Sequence, residues 1–337
     1  MRLFNECGLG GYEHSTWDVE SRSKNLRALT IDLGGSHATL ALVEDSEVVC
    51  CKKLSLHQEE SLGAILPLFA NTFREMLVRH DSEIDTWDGL VFGFCGLADV
   101  RAGRVLSTNK KYDDAPLLDL PGWCKREFGI RFLIENDARM ALLGEVNAGA
   151  AKGFEDIVMM TLGTGIGGAA MIDGQLLRGK HAQAGCLGGH LPARFDGRTC
   201  TCGAVGCVET EASSWALPAL VAEWPGFSGS TLASSGELNF RTLFQSADGG
   251  DPVAVAVRDH CVSVWSSAVV GLIHAYDPEV VVIGGGVMRS SRSILPAIEA
   301  YVHQHAWTPW GKVQVVQAAL GDHAALLGAV PLLREMD

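Results

Sequence analysis

Two hydrophobic periods alternate along the chain. Short apolar runs at residues 28–31, 37–43 and 47–54 are rich in β-branched and aliphatic residues and are spaced as hairpins, which predicts an antiparallel opening. Residues 61–80 switch to helical spacing, with Leu62, Ile65, Leu66, Phe69, Phe73, Met76 and Leu77 on one face. Pro67 lies inside that run and predicts a later start or a bend. Residues 90–94 and 131–134 are short buried strands, and 136–147 is a helix with Met140, Leu142, Leu143 and Val146 apolar.

The second half repeats the order. Residues 156–162 and 166–172 form a hairpin pair around Gly163-Thr164-Gly165, and Asp173-Gly174 turns the chain into residues 175–177. Helices are predicted at 208–223, 252–276, 292–305 and 322–334, and strands at 279–283 and 313–316. Residues 225–245, rich in Ser and Gly, read as the long loop. A strand meander followed by alternating strands and helices, twice over, predicts two α/β domains with a cleft between them. The divisions fall at 1–26 (an extension without clear period), 27–140 (the smaller domain) and 141–337 (the larger one), with the last helix free to pack back on the first domain.

Composition narrows the class. The chain has 337 residues, 40 acidic against 27 basic, for a formal charge of −13. Such a surface does not displace counterions from a phosphate backbone, so no nucleic-acid partner is expected. The opening residues lack an apolar targeting core, and no apolar run reaches the ~20 residues of a membrane span. A cytoplasmic protein without a membrane partner is the expectation. Seven of the ten cysteines, at 7, 50, 51, 95, 124, 186 and 261, are scattered and read as ordinary reduced thiols.

The remaining three cysteines carry chemistry. Cys200, Cys202 and Cys207, with His190 upstream and Gly203 and Gly206 among them, have the donor types and tight backbone of a closed tetrahedral zinc site. Such a site shapes a loop and does no chemistry itself. His190 can bind zinc through one ring nitrogen and a ligand through the other. Three glycine turns each follow a strand: Asp32-Leu33-Gly34-Gly35-Ser36, Gly163-Thr164-Gly165, and Gly284-Gly285-Gly286. Glycine lets backbone N–H groups approach phosphate oxygens, and an Asp at such a turn can hold hydrated Mg²⁺; each turn alone is also an ordinary hairpin or loop. The second turn is followed by a returning strand instead of a helix, which excludes a dinucleotide fingerprint. In Glu135-Asn136-Asp137, either Asn136 or Asp137 can cap the following helix, and Asp137 can face the cleft as a proton acceptor.

These residues together resemble the ROK family of sugar kinases and repressors, in the actin-like ATPase superfamily, from about residue 27 to the C-terminus. The resemblance implies a two-domain actin-like (ribonuclease H-like) fold with an interdomain cleft. It implies an ATP-dependent sugar kinase with Mg²⁺ and structural Zn²⁺, acting on O6 of a hexose or hexose derivative, and a homodimer. Asp32, Gly34, Gly35 and Ser36 resemble the first phosphate motif, with Ser36 where Thr is usual. Gly163, Thr164 and Gly165 resemble the second, and Gly284, Gly285 and Gly286 the adenosine motif. Asn136 and Asp137 match the sugar-binding Asn and the catalytic base. Gly96, Asn109, His190 and Glu209 match further substrate positions, with Cys95 where Pro usually precedes the glycine. His190, Cys200, Cys202 and Cys207 match the zinc signature, in its Cys-x-Cys form. Leu187 stands where the family places a sugar-contacting Glu, and no acid occurs anywhere in residues 174–194. A ligand hydroxyl left unpaired there costs ~1–3 kcal/mol, so Leu187 weakens the common hexoses as substrates. Two alternatives follow: a sugar-responsive regulator of the same family lacking its DNA-binding module, and a sugar-binding protein with little kinase activity. The short, polar stretch before the first strand and the acidic charge argue against the regulator. Asp137 and the phosphate turns argue against the second.

Overall fold

The computed structural model describes residues 25–35, 37–56, 61–108 and 111–336. The expected sites Ser36 and Asn109, and the extension up to residue 24, lie outside the described residues.

The chain opens with β1 (Arg27–Leu33), β2 (His37–Glu44) and β3 (Glu47–Ser55), then α1 (Leu62–Arg79) and β4 (Gly89–Phe94). A small ribbon of β5 (Leu97–Asp99) and β6 (Arg104–Ser107) precedes α2 (Leu120–Glu127), β7 (Arg131–Asn136) and α3 (Asp137–Ala148). Next come β8 (Ile157–Leu162), β9 (Ile166–Ile172), β10 (Gln175–Leu176), α4 (Val208–Ala212), α5 (Leu217–Ala222), α6 (Phe240–Asp248) and α7 (Pro252–Tyr276). The chain closes with β11 (Val280–Gly284), α8 (Ser291–His305), β12 (Gln314–Gln317), α9 (Ala324–Leu327) and α10 (Ala329–Glu335).

The strands form two five-stranded sheets, β3-β2-β1-β4-β7 and β10-β9-β8-β11-β12. Each runs antiparallel across its first two pairings and parallel across its last two. The same topology therefore occurs twice. In each sheet three parallel strands end at one edge, where an open α/β sheet collects ligands.

Packing explains the pattern of faces. Leu29, Ile31, Leu40 and Phe92 bury one face of the first sheet against Phe69 and Phe73 of α1. Val158, Met160, Val281 and Ile283 do the same for the second sheet against α7 and α8. The inner faces meet a third core, in which Val91, Leu133, Met159 and Val282 surround α3, α9 and α10. These strands are apolar on both faces, as buried parallel strands must be. Helix α3 crosses the terminal helices closely: a Cβ on Gly144 would collide with the Ala324 carbonyl, and one on Gly328 with the Met140 carbonyl. Helix α10 lies along β1 and β4, with Leu333 against Gly89.

Several elements differ from expectation. Helix α1 does not start after Pro67; Ser61 caps it through Ala64 N–H, the Asp114 carboxylate accepts from Leu62 and Gly63 N–H, and the proline sits inside. The helix expected over 208–223 is broken into α4 and α5, because Ser214 and Trp215 give their N–H groups to the Gly163 and Thr164 carbonyls. The expected loop 225–245 contains the start of α6, fixed by an Asn239/Thr242 capping box and by burial of Phe240, Leu243 and Phe244. The helix expected over 322–334 is split at Gly328 into α9 and α10. Helix α7 is the one described helix long and apolar enough to cross a membrane; 56% of its most apolar window is buried in the protein, and Trp265, Val257 and Cys261 anchor it in the core.

Candidate active site

Three strand ends of the first sheet bring four expected site residues together. In register, Asp32 of β1 pairs Gly93 of β4, and Phe94 of β4 pairs Asn136 of β7. Gly96 follows β4, and its carbonyl accepts a hydrogen bond from Asn136 Nδ2 at 3.1 Å. A side chain at Gly96 would press on the Ser107 carbonyl at 2.6 Å, so the approach requires glycine. Asn136 is the N-cap of α3: its Oδ1 accepts from Ala138 and Arg139 N–H at 3.1 and 3.2 Å. Its amide also donates to Asp137 Oδ1 at 2.9 Å, and Ala138 N–H does the same at 2.9 Å. Oδ1 of Asp137 is thus held by two neighbouring residues, and no other described residue donates to Oδ2. That division lets one residue cap the helix while the next points an acceptor into the cleft.

Electrostatics mark the same place. Desolvation raises the Asp32 carboxyl to about 7, with the Asp137 and Asp322 charges adding to it and Lys53 opposing it. Desolvation raises Asp137 to about 6, against the lowering effect of its hydrogen bonds from Ala138 and Asn136. Two acids tuned upward at one strand edge are the pattern of a site built for proton and cation chemistry. Burial, and then the Asp137 charge, push the neighbouring Cys95 thiol up to about 12, so it stays protonated.

The second sheet faces this edge with glycine turns. A Cβ on Gly35 would lie 3.9 Å from Thr164 Cγ2, so the first two turns lie next to each other. The second turn is tied down from behind: Gly163 N–H bonds the Gly165 carbonyl at 3.0 Å, and Ser214 and Trp215 hold the Gly163 and Thr164 carbonyls. The Thr164 and Gly165 N–H groups have no partner among the described residues. Gly285 follows β11 with φ +90°, and a Cβ there would collide with the Leu162 carbonyl. Asp322 joins the cleft through its charge on Asp32 and pairs Arg289, just beyond the third turn, at 3.3 Å.

The Cys/His cluster forms as expected. Cys200 Sγ lies 3.5 Å from His190 Nδ1, Cys202 Sγ lies 3.7 Å from Cys207 Sγ, and all four donor atoms fall within 4.8 Å of one another. Metal bonds of about 2.3 Å to sulfur and about 2.0 Å to nitrogen give tetrahedral edges of about 3.8 and 3.5 Å, so the donors fit a zinc ion. The sulfur separation also excludes a disulfide. The loop is pinned to β9: a Cβ on Gly189 would collide with the Ile166 carbonyl, and Gly188 packs on Gly168.

Glu209 sits differently from a free sugar ligand. Its Oε2 accepts from Ile166 N–H at 2.8 Å and its Oε1 from Trp215 Nε1 at 3.2 Å, which ties the cluster to the second glycine turn. Leu187 is half-buried at the entry to the Gly188–His190 turn.

Two cleft residues are not apparent from motifs. Lys53 pairs Thr39, which pairs Asp32, so lysine and acid share one face two strands apart. Hairpin register alone carried that signal. Lys111 has a buried Nζ without a hydrogen-bond partner among the described residues, placed over the Tyr112 ring at 4.9 Å, and the Tyr112 hydroxyl donates to the Gly34 carbonyl at 3.3 Å. No local pattern in the sequence singles out Lys111.

The profile of the ROK family matches residues 28–336. A glucokinase of Thermotoga maritima is 31% identical over 317 residues, covering 92% of this chain and 98% of that one. The structure of a ROK family glucokinase from Streptomyces griseus in complex with glucose and AMPPNP superposes with a TM-score of 0.76 at 26% identity, covering 92% of this chain and 99% of that one. A ROK family transcriptional regulator, a homologue of the E. coli MLC protein, superposes with a TM-score of 0.77 at 26% identity, covering 92% of this chain and 78% of that one.

Proposed function

The chain belongs to the ROK family, and from that premise we propose that it is an ATP-dependent sugar kinase acting on the primary hydroxyl, O6, of a hexose or hexose derivative. The observation that carries this reading is the pair Asn136–Asp137 at the end of β7, with one Asp137 oxygen fixed and the other open. In the kinase, Asn136 and Gly96 seat the sugar, and Asp137 accepts the O6 proton as that oxygen attacks the γ-phosphate in line. A base within hydrogen-bond reach of the hydroxyl contributes 10²–10⁴-fold.

The rest is positioning and charge. The Thr164 and Gly165 N–H groups and the first turn receive the phosphates, while Gly285, with no side chain, leaves room for the nucleoside. Asp32 is where Mg²⁺ would be held, and a bound cation supplies the neutralisation of developing phosphate charge. His190, Cys200, Cys202 and Cys207 would hold structural zinc, which fixes the loop so that the other His190 nitrogen faces the sugar. Closure of the cleft keeps water from competing with the sugar. Leu187 offers no acceptor to a ligand hydroxyl, which favours a sugar whose matching position is deoxygenated, substituted or bridged.

An ATP-consumption assay over hexoses, N-acetylhexosamines, anhydro sugars and polyols tests the reading. Turnover with at least one sugar, absent without it, is the expected result. No sugar-dependent turnover across the panel, with sugar binding retained, would contradict it in favour of a sugar-binding role.

A further inference from the structure

The base and the zinc loop belong to different parts of the chain, yet one buried ion pair touches both. Glu135 precedes Asn136, and its carboxylate is fully buried, as is the Arg139 guanidinium one helical turn on. Glu135 Oε1 accepts from Asn136 N–H at 2.9 Å and from Arg139 Nη1 at 3.1 Å. Arg139 Nη2 then reaches out of α3 to the carbonyls of Ala182 and Ala184, at 3.2 and 2.6 Å. Those two residues open the segment that runs through Gly185 and Leu187 to His190. Glu135 Oε2 accepts from Arg178 Nε at 2.6 Å, and Arg178 is in turn paired with Glu335 at the end of α10.

The segment carries local strain. Ala182 has φ +55°, a left-handed conformation that a residue with a Cβ adopts only under constraint. The carbonyl of that strained residue is one of the two that Arg139 captures. A charged pair removed from water is costly unless its geometry and remaining hydrogen bonds offset the loss. Here both donors on Nη2 go to the loop, although Arg139 Nε has no partner among the described residues.

We infer that Glu135 and Arg139 are positioning residues, which register the Asp137 base against the loop carrying Leu187 and His190 and so set the depth at which the sugar sits. Neither touches the reacting atoms. The inference rests on the kinase reading, since it assigns the pair to the sugar side of that site.

Two variants test it in the full chain. Arg139→Lys keeps a cation beside Glu135 but cannot span both carbonyls. The double variant Glu135→Gln with Arg139→Met removes both fully buried charges and leaves Arg178 its other partner, Glu335, so no ion is orphaned. In each, KM for the sugar is expected to rise about tenfold or more while KM for ATP stays within about twofold, because misplacement acts on one substrate. Amide hydrogen exchange over residues 182–190 is expected to speed up in both, a readout that needs no turnover. Wild-type sugar KM and unchanged exchange in either folded variant overturn the inference. Inactive wild-type protein with faster exchange in the variants removes the kinase reading and leaves only the loop-holding role.

Discussion

The two sheets share one strand order, but their ligand-facing edges are made of different material. The edge of the first carries acids: Asp32 and Asp137 sit where β1 and β7 end, and desolvation raises both. The edge of the second carries backbone: Gly163–Gly165 and Gly284–Gly286 stand where β8 and β11 end, and the Cys/His loop is fastened to β9. A repeated topology therefore supplies two walls, and side chains at strand ends decide what each wall does. The acidic edge offers two carboxyls raised by burial. The glycine edge offers backbone without charge.

Breaking the acidic wall should have the largest effect. Asp137→Asn keeps the Asn136 cap and the shape of the turn but removes the acceptor, so kcat should fall by about 10²–10⁴-fold. Sugar affinity by calorimetry should remain within a few-fold of wild type. A variant with normal turnover would move the base elsewhere.

On the opposite wall the loss should be in binding and stability. Cys202→Ser removes one of four donors, so elemental analysis should find zinc near one per chain in wild type and well below that in the variant. The sugar KM should rise more than kcat falls, because the loop places His190 and not the reacting atoms. Metal-free wild type with an unchanged melting temperature would show that the cluster does not shape the loop.

The smallest effect separates the walls by pH. The folded Asp32 carboxyl lies near 7, above the ordinary range near 4. A raised folded value means that its stabilising contribution is complete below about pH 4 and is lost as pH rises through about 7. Asp32→Asn should therefore gain melting temperature relative to ligand-free wild type between about pH 5 and pH 8. Mg²⁺ with nucleotide should narrow that gap by favouring the ionised wild-type carboxylate. A gap independent of pH would deny the desolvation of Asp32.

The same contrast explains what was legible in the sequence. Strands β1 to β4, β7 to β9, β11 and β12 announce themselves by apolar runs ending in glycine or polar turns. The Cys/His spacing announces its cluster, and Asn136–Asp137 its helix start. What stayed hidden depends on distant partners. The break between α4 and α5 exists because the backbone at Ser214 and Trp215 is committed to a turn about 50 positions earlier. Helix α6 hides in a Ser- and Gly-rich stretch, where its Asn239 cap reads as one more loop residue. Lys53 reaches the site only through two hairpin registers, and Lys111 only through the fold of the cleft. Glu209, expected at the sugar, also accepts from Ile166 N–H and Trp215 Nε1, two contacts that its spacing from the cysteines does not announce.

The central claim is that the open Asp137 carboxylate is the base. With Mg²⁺-ATP saturating, so that Asp32 is already ionised, sugar kcat/KM measured against pH reports the titration of Asp137 directly. The account predicts a plateau at high pH and a tenfold fall per pH unit below an inflection that lies above the ordinary carboxylate range, as burial of Asp137 requires. A flat profile down to about pH 5 would contradict it.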